Sequence, residues 1–184
     1  MSFGFEEEQL CIRKAIYEAL YSREGSILFF AAASNYGANE RQMFPARHES
    51  VISIRATNAN GDFLDLNPPR DQNEGVVFGT LGLDVPSASL RDDGRETYKS
   101  GTSVATAVAV GMAGVLLGYA SRASRDAAFQ VDKKLRTHQG MRALFRALAR
   151  STQSEQHLYL APWILEGESD EVRRSIIVAA PFSL

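Results

Sequence analysis

Cysteine is nearly absent from this chain of 184 residues, and histidine is scarce: there is one Cys and there are three His. The lone Cys11 excludes an internal disulfide and leaves no thiolate cluster for a structural zinc. His48, His138 and His157 are too widely spread for the spacing of a metal site, so no metal and no cofactor are expected. An excess of positive charge is missing too. The formal net charge is −2, with Lys and Arg scattered, which leaves no electrostatic footprint for nucleic acid. Met1 runs into "SFGFEEEQL" without a basic region ahead of an apolar one, so no signal peptide is visible. Location therefore leans intracellular, provided that Met1 is the true start. Internal repeats and low-complexity stretches are also lacking.

One long stretch, Ser100 to Ser121, has no charge at all, and its Gly114 and Gly118 have the G-x-x-x-G spacing of helix pairs in lipid. However, Thr102, Ser103 and Thr106 occupy its first turns. The apolar remainder, Ala107 to Ala120, is shorter than the roughly 20 residues that a bilayer core requires. It is also richer in Ala, Gly and Val than in Leu or Phe. The expectation is a helix from Ser103 to about Tyr119, largely buried because no polar face is left, and no membrane span.

What is present is an ordinary globular composition, 45% hydrophobic and 23% charged, and one domain is the natural count. "EEEQLCIRKAIYEALYSREG" reads as an amphipathic helix, with Glu6, Glu7 and Glu8 at its positive end and Gly25 closing it. "SILFFAAAS" is a continuous apolar run, the mark of a strand buried on both faces in a parallel sheet. "SVISIRAT" is a second strand, and "VVFGTLG" and "LDVPSA" are shorter extended pieces. "DKKLRTHQGMRALFRALAR" has a helical pattern, and "HLYLAPWILEG" and "SIIVAAPFSL" read as short extended segments. The alternation argues for an α/β layer fold with helices on both faces of a mostly parallel sheet. A boundary near Arg150–Glu155 divides residues 1–150 from a C-terminal extension, 151–184.

Four stretches carry the chemistry. They are "FFAAASNYGAN", "FPARHESVISIRATNANG", "VVFGTLGLDVPSA" and "SGTSVATAVAVG", in that order. Together they resemble the subtilisin-like serine peptidases. The corresponding family pieces are AAGN, a Pro-Ala or Pro-Ser turn into V-I-x-V-x-A-T, F-S-x-x-G, and G-T-S-M-A-T-P. The likeness covers nearly all of Met1 to Tyr119. It implies a subtilisin-like three-layer α/β fold, with residues 1–150 as a partial peptidase domain whose N-terminal portion is missing. It also implies serine-type endopeptidase chemistry on a peptide or protein substrate. Ser103 would be the nucleophile, at the N-terminal end of a helix whose dipole favours negative charge. Asn35 would be the side-chain donor to the oxyanion. "MSFG" matches the family's M-S-L-G strand that lines the substrate cleft, which makes Ser2, Phe3 and Gly4 the expected substrate-binding positions.

Each residue also has a plainer explanation. Ser103 can simply start a helix, Asn35 can be a turn residue before Gly37, and Met1–Gly4 can be a loose terminus. The family's catalytic Asp and His lie upstream of the M-S-L-G strand. Here the first Asp is Asp62, and every His follows Asn35 outside a His-Gly-Thr context. The general base is therefore expected to be absent and residues 1–184 alone inactive. Further departures are Thr106-Ala107-Val108 for the family's Thr-Pro-His, Ser34 for Gly, and Gly79 in the F-S segment. Two other functions stay open: a non-catalytic peptide-binding domain that keeps the cleft, and a helical partner-binding or membrane module. An exposed strand edge at Met1–Phe5 is expected to invite either a missing N-terminal half or self-association.

Overall fold

The apolar runs become strands. In the computed structural model, which describes residues 1–72, 74–88, 97–122 and 128–183, helix α1 (Leu10–Ser22) precedes β1 (Phe29–Ala32), β2 (Val51–Thr57) and β3 (Val77–Leu81). A hairpin of β4 (Val85–Ser87) and β5 (Thr97–Lys99) leads to α2 (Thr102–Arg122), α3 (Ala128–Leu135) and α4 (His138–Ala147). The chain ends with β6 (Ala149–Ser151), β7 (His157–Leu160) and α5 (Asp170–Ala179). The main sheet has the order β1-β2-β3-β7-β6; every neighbouring pair is parallel except β6 with β7. Parallel strands need both faces covered, and side-chain alternation along β1 and β2 divides the core accordingly. Phe30, Ile52, Ile54 and Ala56 join Phe78 in the larger apolar cluster, with Ala105, Ala109 and Ala113 of α2 and Leu144 and Phe145 of α4. Ala31 and Val51 point the other way, into a smaller cluster with Ile16 of α1. The result is the expected three-layer α/β arrangement.

Several elements differ from the expectation. Helix α1 starts at Leu10, so Glu6, Glu7 and Glu8 lie ahead of it and put no acid into its first turn. The basic segment is two helices, because the Thr137 hydroxyl accepts from the Gly140 N–H at 3.1 Å and caps a new start. "SIIVAAPFSL" is not extended: Ser175 to Ala179 complete α5, which Ser169 caps and Asp170 and Glu171 favour in its first turn. After Leu160, Pro162–Leu165 form a 3-10 turn. Helix α2 departs most from expectation. It is long and apolar enough to cross a membrane, yet only one stripe of it is buried, namely Thr102, Ala105, Thr106, Ala109, Ala113, Leu116 and Ala120. A helix lying across β1, β2 and β3 presents only one side to them, so Val115 stays 72% exposed. The 150/151 division falls inside β6, and residues beyond it, including Leu158, Leu160 and Ile177, lie in the larger cluster.

Candidate active site

The start of α2 is bound to the carboxyl ends of the strands. The Gly82 N–H donates to the Thr57 carbonyl at 2.9 Å, and the Gly101 N–H donates to the Gly82 carbonyl at 2.7 Å. Gly101 has φ +134°, which L side chains rarely adopt, and a Cβ there would sit 3.2 Å from the Asn35 amide. Glycine is thus required where the chain turns from the hairpin into the helix.

Asn35 arrives from the other direction, three residues beyond β1. Behind it, Gly37 has φ +68° and its N–H donates to the Leu66 carbonyl at 3.0 Å. The Asn35 Oδ1 accepts two hydrogen bonds from Thr102, from the N–H at 2.8 Å and from the hydroxyl at 3.0 Å. These bonds span 67 positions of sequence. They occupy the amide oxygen and leave Nδ2 with no partner among the described residues, beside the residue that precedes Ser103. Ser103 itself is half-buried, one residue into α2 rather than at its first position. Its hydroxyl donates to the Ser2 carbonyl at 3.5 Å, a long contact.

Ser2 is therefore also present at this end of the sheet. The segment from Met1 to Phe5 runs along β1: the Ala32 N–H donates to the Met1 carbonyl at 3.0 Å. It then exchanges two bonds with Phe44, Phe5 N–H to Phe44 carbonyl at 2.8 Å and the reverse at 2.9 Å. Ser2, Phe3 and Gly4 are all exposed. Gly4 lies so close to Met43 that a Cβ would come within 2.7 Å of its side chain. The structure thus brings three of the five expected positions, Ser2, Asn35 and Ser103, into one backbone-built corner, while Gly4 lies against Met43. Phe3, the fifth, projects outward and makes an edge contact with Phe5 at 5.8 Å.

No histidine joins this corner. His48 is buried between Tyr17 and Phe44, with ring centroids 5.2 and 6.3 Å away. His138 opens α4; burial, then Arg142, hold its pKa below the ordinary histidine value. His157 contacts Ser154 Oγ through Nδ1 at 2.7 Å, and partial burial, with Arg55 and Arg70, lowers its pKa as well. Among the described residues no acid, base or imidazole hydrogen-bonds Ser103, and no group of three potential metal ligands exists. Thr102 is the residue that sequence reasoning missed. Its place immediately before Ser103, where both its N–H and its hydroxyl can reach back, was the available signal.

A family model described as the Subtilase family matches residues 1–158. A cell wall-associated protease of Bacillus subtilis (strain 168) is 33% identical over 109 residues, 59% of this chain but 12% of that protein. Among solved structures, the prenylagaramide maturation protease PagA superposes with a TM-score of 0.63 at 22% identity, over 95% of this chain and 58% of that one. A mutant of the protease domain of PatA gives 0.63 at 21% identity, over 100% and 57%. The PatG macrocyclase in complex with peptide gives 0.65 at 16% identity, over 96% and 50%. The chain therefore spans 50–58% of the length of these solved structures and 12% of the curated relative.

Proposed function

Because the chain belongs to the subtilase family, we propose that it carries the nucleophile and the oxyanion donors of a serine endopeptidase domain. Ser103 Oγ would bond to the carbonyl carbon of a peptide, with its proton passing to a base. The C–N bond then breaks, the amine leaves with that proton, and water releases the acyl group from Ser103. The oxyanion formed on the way would be met by the Asn35 Nδ2 and the Ser103 backbone N–H, which the start of α2 leaves without a helical partner. One observation supports this proposal above the others: Asn35 Oδ1 accepts both the N–H and the hydroxyl of Thr102, which occupies the amide oxygen and leaves Nδ2 as the end available to an oxyanion. Ser2, Phe3 and Gly4 would pair with substrate backbone; PatG has a structure with peptide bound, and we extend peptide binding to this corner.

With no base hydrogen-bonded to Ser103 among the described residues, residues 1–184 alone are expected to hydrolyse peptides negligibly. The second proposal, a peptide-binding domain without catalysis, is favoured by the same positions of His48, His138 and His157. Chemical rescue distinguishes the two. Imidazole added to the chain with an activated ester should acylate Ser103, seen as a mass increase on its peptide and as turnover above that of imidazole alone. Ser103→Ala should abolish both. Asn35→Ala should lower the rate by about 10²–10³-fold, the known cost of removing this donor in subtilisin. Peptide binding with no Ser103-dependent acylation would leave only the non-catalytic domain.

A further inference from the structure

A second serine stands against a histidine at the start of β7, away from Ser103. The turn between β6 and β7 brings Ser154 Oγ to 2.7 Å from His157 Nδ1. Several bonds fix this turn. The Ser154 carbonyl accepts from the His157 N–H at 3.0 Å and from the Ser151 hydroxyl at 2.8 Å. The His157 carbonyl accepts from the Thr152 N–H at 3.2 Å. His157 lies opposite Val77 in the β3–β7 ladder, and its ring stands edge-on to Phe63, with centroids 5.0 Å apart at 81°. The sheet thus holds the histidine, and the serine sits on an exposed turn in front of it.

The direction of the Ser154–His157 bond follows from its length and its partners. Ser154 Oγ already accepts from the Gln156 N–H at 3.3 Å. A contact of 2.7 Å has the length of a bond donated by a hydroxyl, whereas an N–H donor gives about 2.9–3.0 Å. The hydroxyl therefore donates to Nδ1, and the neutral ring carries its own hydrogen on Nε2. Partial burial, then Arg55 and Arg70, favour the neutral ring over the charged one. Glu74 acts the other way but is held by Arg55 at 2.9 Å, and Glu155, the charged residue of the turn itself, is exposed. A neutral imidazole that accepts a hydroxyl proton is a base beside a nucleophile, an arrangement that Ser103 lacks among the described residues.

We propose that Ser154 is an acyl-acceptor site for activated aryl esters, with His157 as its base. Ser154 Oγ bonds to the acyl carbon while its proton passes to His157 Nδ1. The C–O bond to the aryl group breaks, and the departing phenolate takes that proton, which returns the ring to its neutral form. The substrate class follows from exposure. On an exposed turn the oxyanion is met by water rather than by preorganised donors, so a donor with a good leaving group reacts and a peptide bond does not. For the same reason the product, an ordinary alkyl ester on Ser154, stays in place: the chain is acylated once and does not turn over.

The site does not require Ser103 to be a nucleophile, and the arginines between the two serines place them on separate tryptic peptides. The whole chain is treated with p-nitrophenyl acetate, without added imidazole, and the acetyl groups are located by mass spectrometry. The reference is Ser22, an exposed serine whose hydroxyl donates to the Ala19 carbonyl at 3.1 Å. A positioned base contributes about 10²–10⁴-fold, and an exposed pair belongs at the lower end, so Ser154 should be acetylated about 100-fold faster than Ser22. His157→Gln should bring Ser154 down to the Ser22 rate. In the unaltered chain the Ser154 rate should level off above about pH 7, where the imidazole is neutral, while the Ser22 rate keeps rising. This profile does not depend on how the variant folds. Acetylation of Ser154 at the Ser22 rate, an unchanged rate in His157→Gln, a Ser154 rate that climbs with pH as that of Ser22 does, or acetyl on His157 in place of Ser154 would overturn the proposal.

Discussion

Two polar regions of this molecule are built from opposite materials. The Ser103 corner uses small neutral residues and backbone groups: Gly82, Gly101, Thr102, Asn35 and the carbonyl of Ser2. On β2, by contrast, Arg55 is 1% exposed and places two nitrogens 2.9 Å from the two Glu74 oxygens. Its Nε and Nη2 also donate, at 3.4 Å, to the carbonyls of Pro68 and Pro69. The first region is short of charge and dense in constrained backbone. The second stabilises a loop by a desolvated ion pair. The residues that hold the loop in place and those of the candidate site are thus separated, and mutation should treat them differently.

The largest effect is expected at the charged region. Arg55→Ala leaves Glu74 without its ion-pair partner and the Pro68 and Pro69 carbonyls without their donor, and removing one member of such a pair costs about 3–5 kcal/mol. Because Glu74 retains 20% side-chain exposure, the lower end of that range is expected. Urea unfolding measures it, and a loss below about 1 kcal/mol would reduce Arg55 to the level of a surface ion pair and end the comparison.

Gly101→Ala should cost less, but it acts where the site is. A non-glycine residue held at such a φ carries about 1–3 kcal/mol of strain. The new methyl would also press on the Asn35 amide. The stability loss should therefore come with a change in the Asn35 side-chain amide resonances, while the Arg55 region stays as it was. If the Asn35 signals do not move, the corner is not organised by Gly101.

The two regions also differ in how far the sequence reveals them. Gly-Thr-Ser at the start of α2, and Asn35 after an apolar strand, are local patterns, and the family resemblance links them across the chain. The partnership of Arg55 and Glu74 has no such pattern, since it depends on how the loop after β2 folds back. Strands β1, β2 and β3 were legible because β-branched and aromatic runs bounded by turn residues have few alternatives. Helix α5 was not, because Ile176, Ile177 and Val178 look extended, and the Ser169 cap with its following acids outweighs them. The exposure of α2 was illegible for another reason. Ala, Gly and Val on all sides tell that a helix is apolar, but not which side the sheet will cover.

The smallest effect is expected at Ser103, and it answers the plainer explanation of that residue. A serine that caps a helix accepts from a backbone N–H, and its loss costs about 0.5–2 kcal/mol. The Ser103 hydroxyl instead donates, over 3.5 Å, to a carbonyl of a different segment, and the residue lies within α2. Alanine is the better helix former by roughly 0.5 kcal/mol, and it gives up only this long contact. Ser103→Ala should therefore leave stability unchanged or slightly raised in urea unfolding, in contrast to the loss at Arg55. A cost above about 1 kcal/mol would make Ser103 a structural cap. A neutral result would mean that the hydroxyl at this position contributes nothing to folding, as expected of a group kept for chemistry.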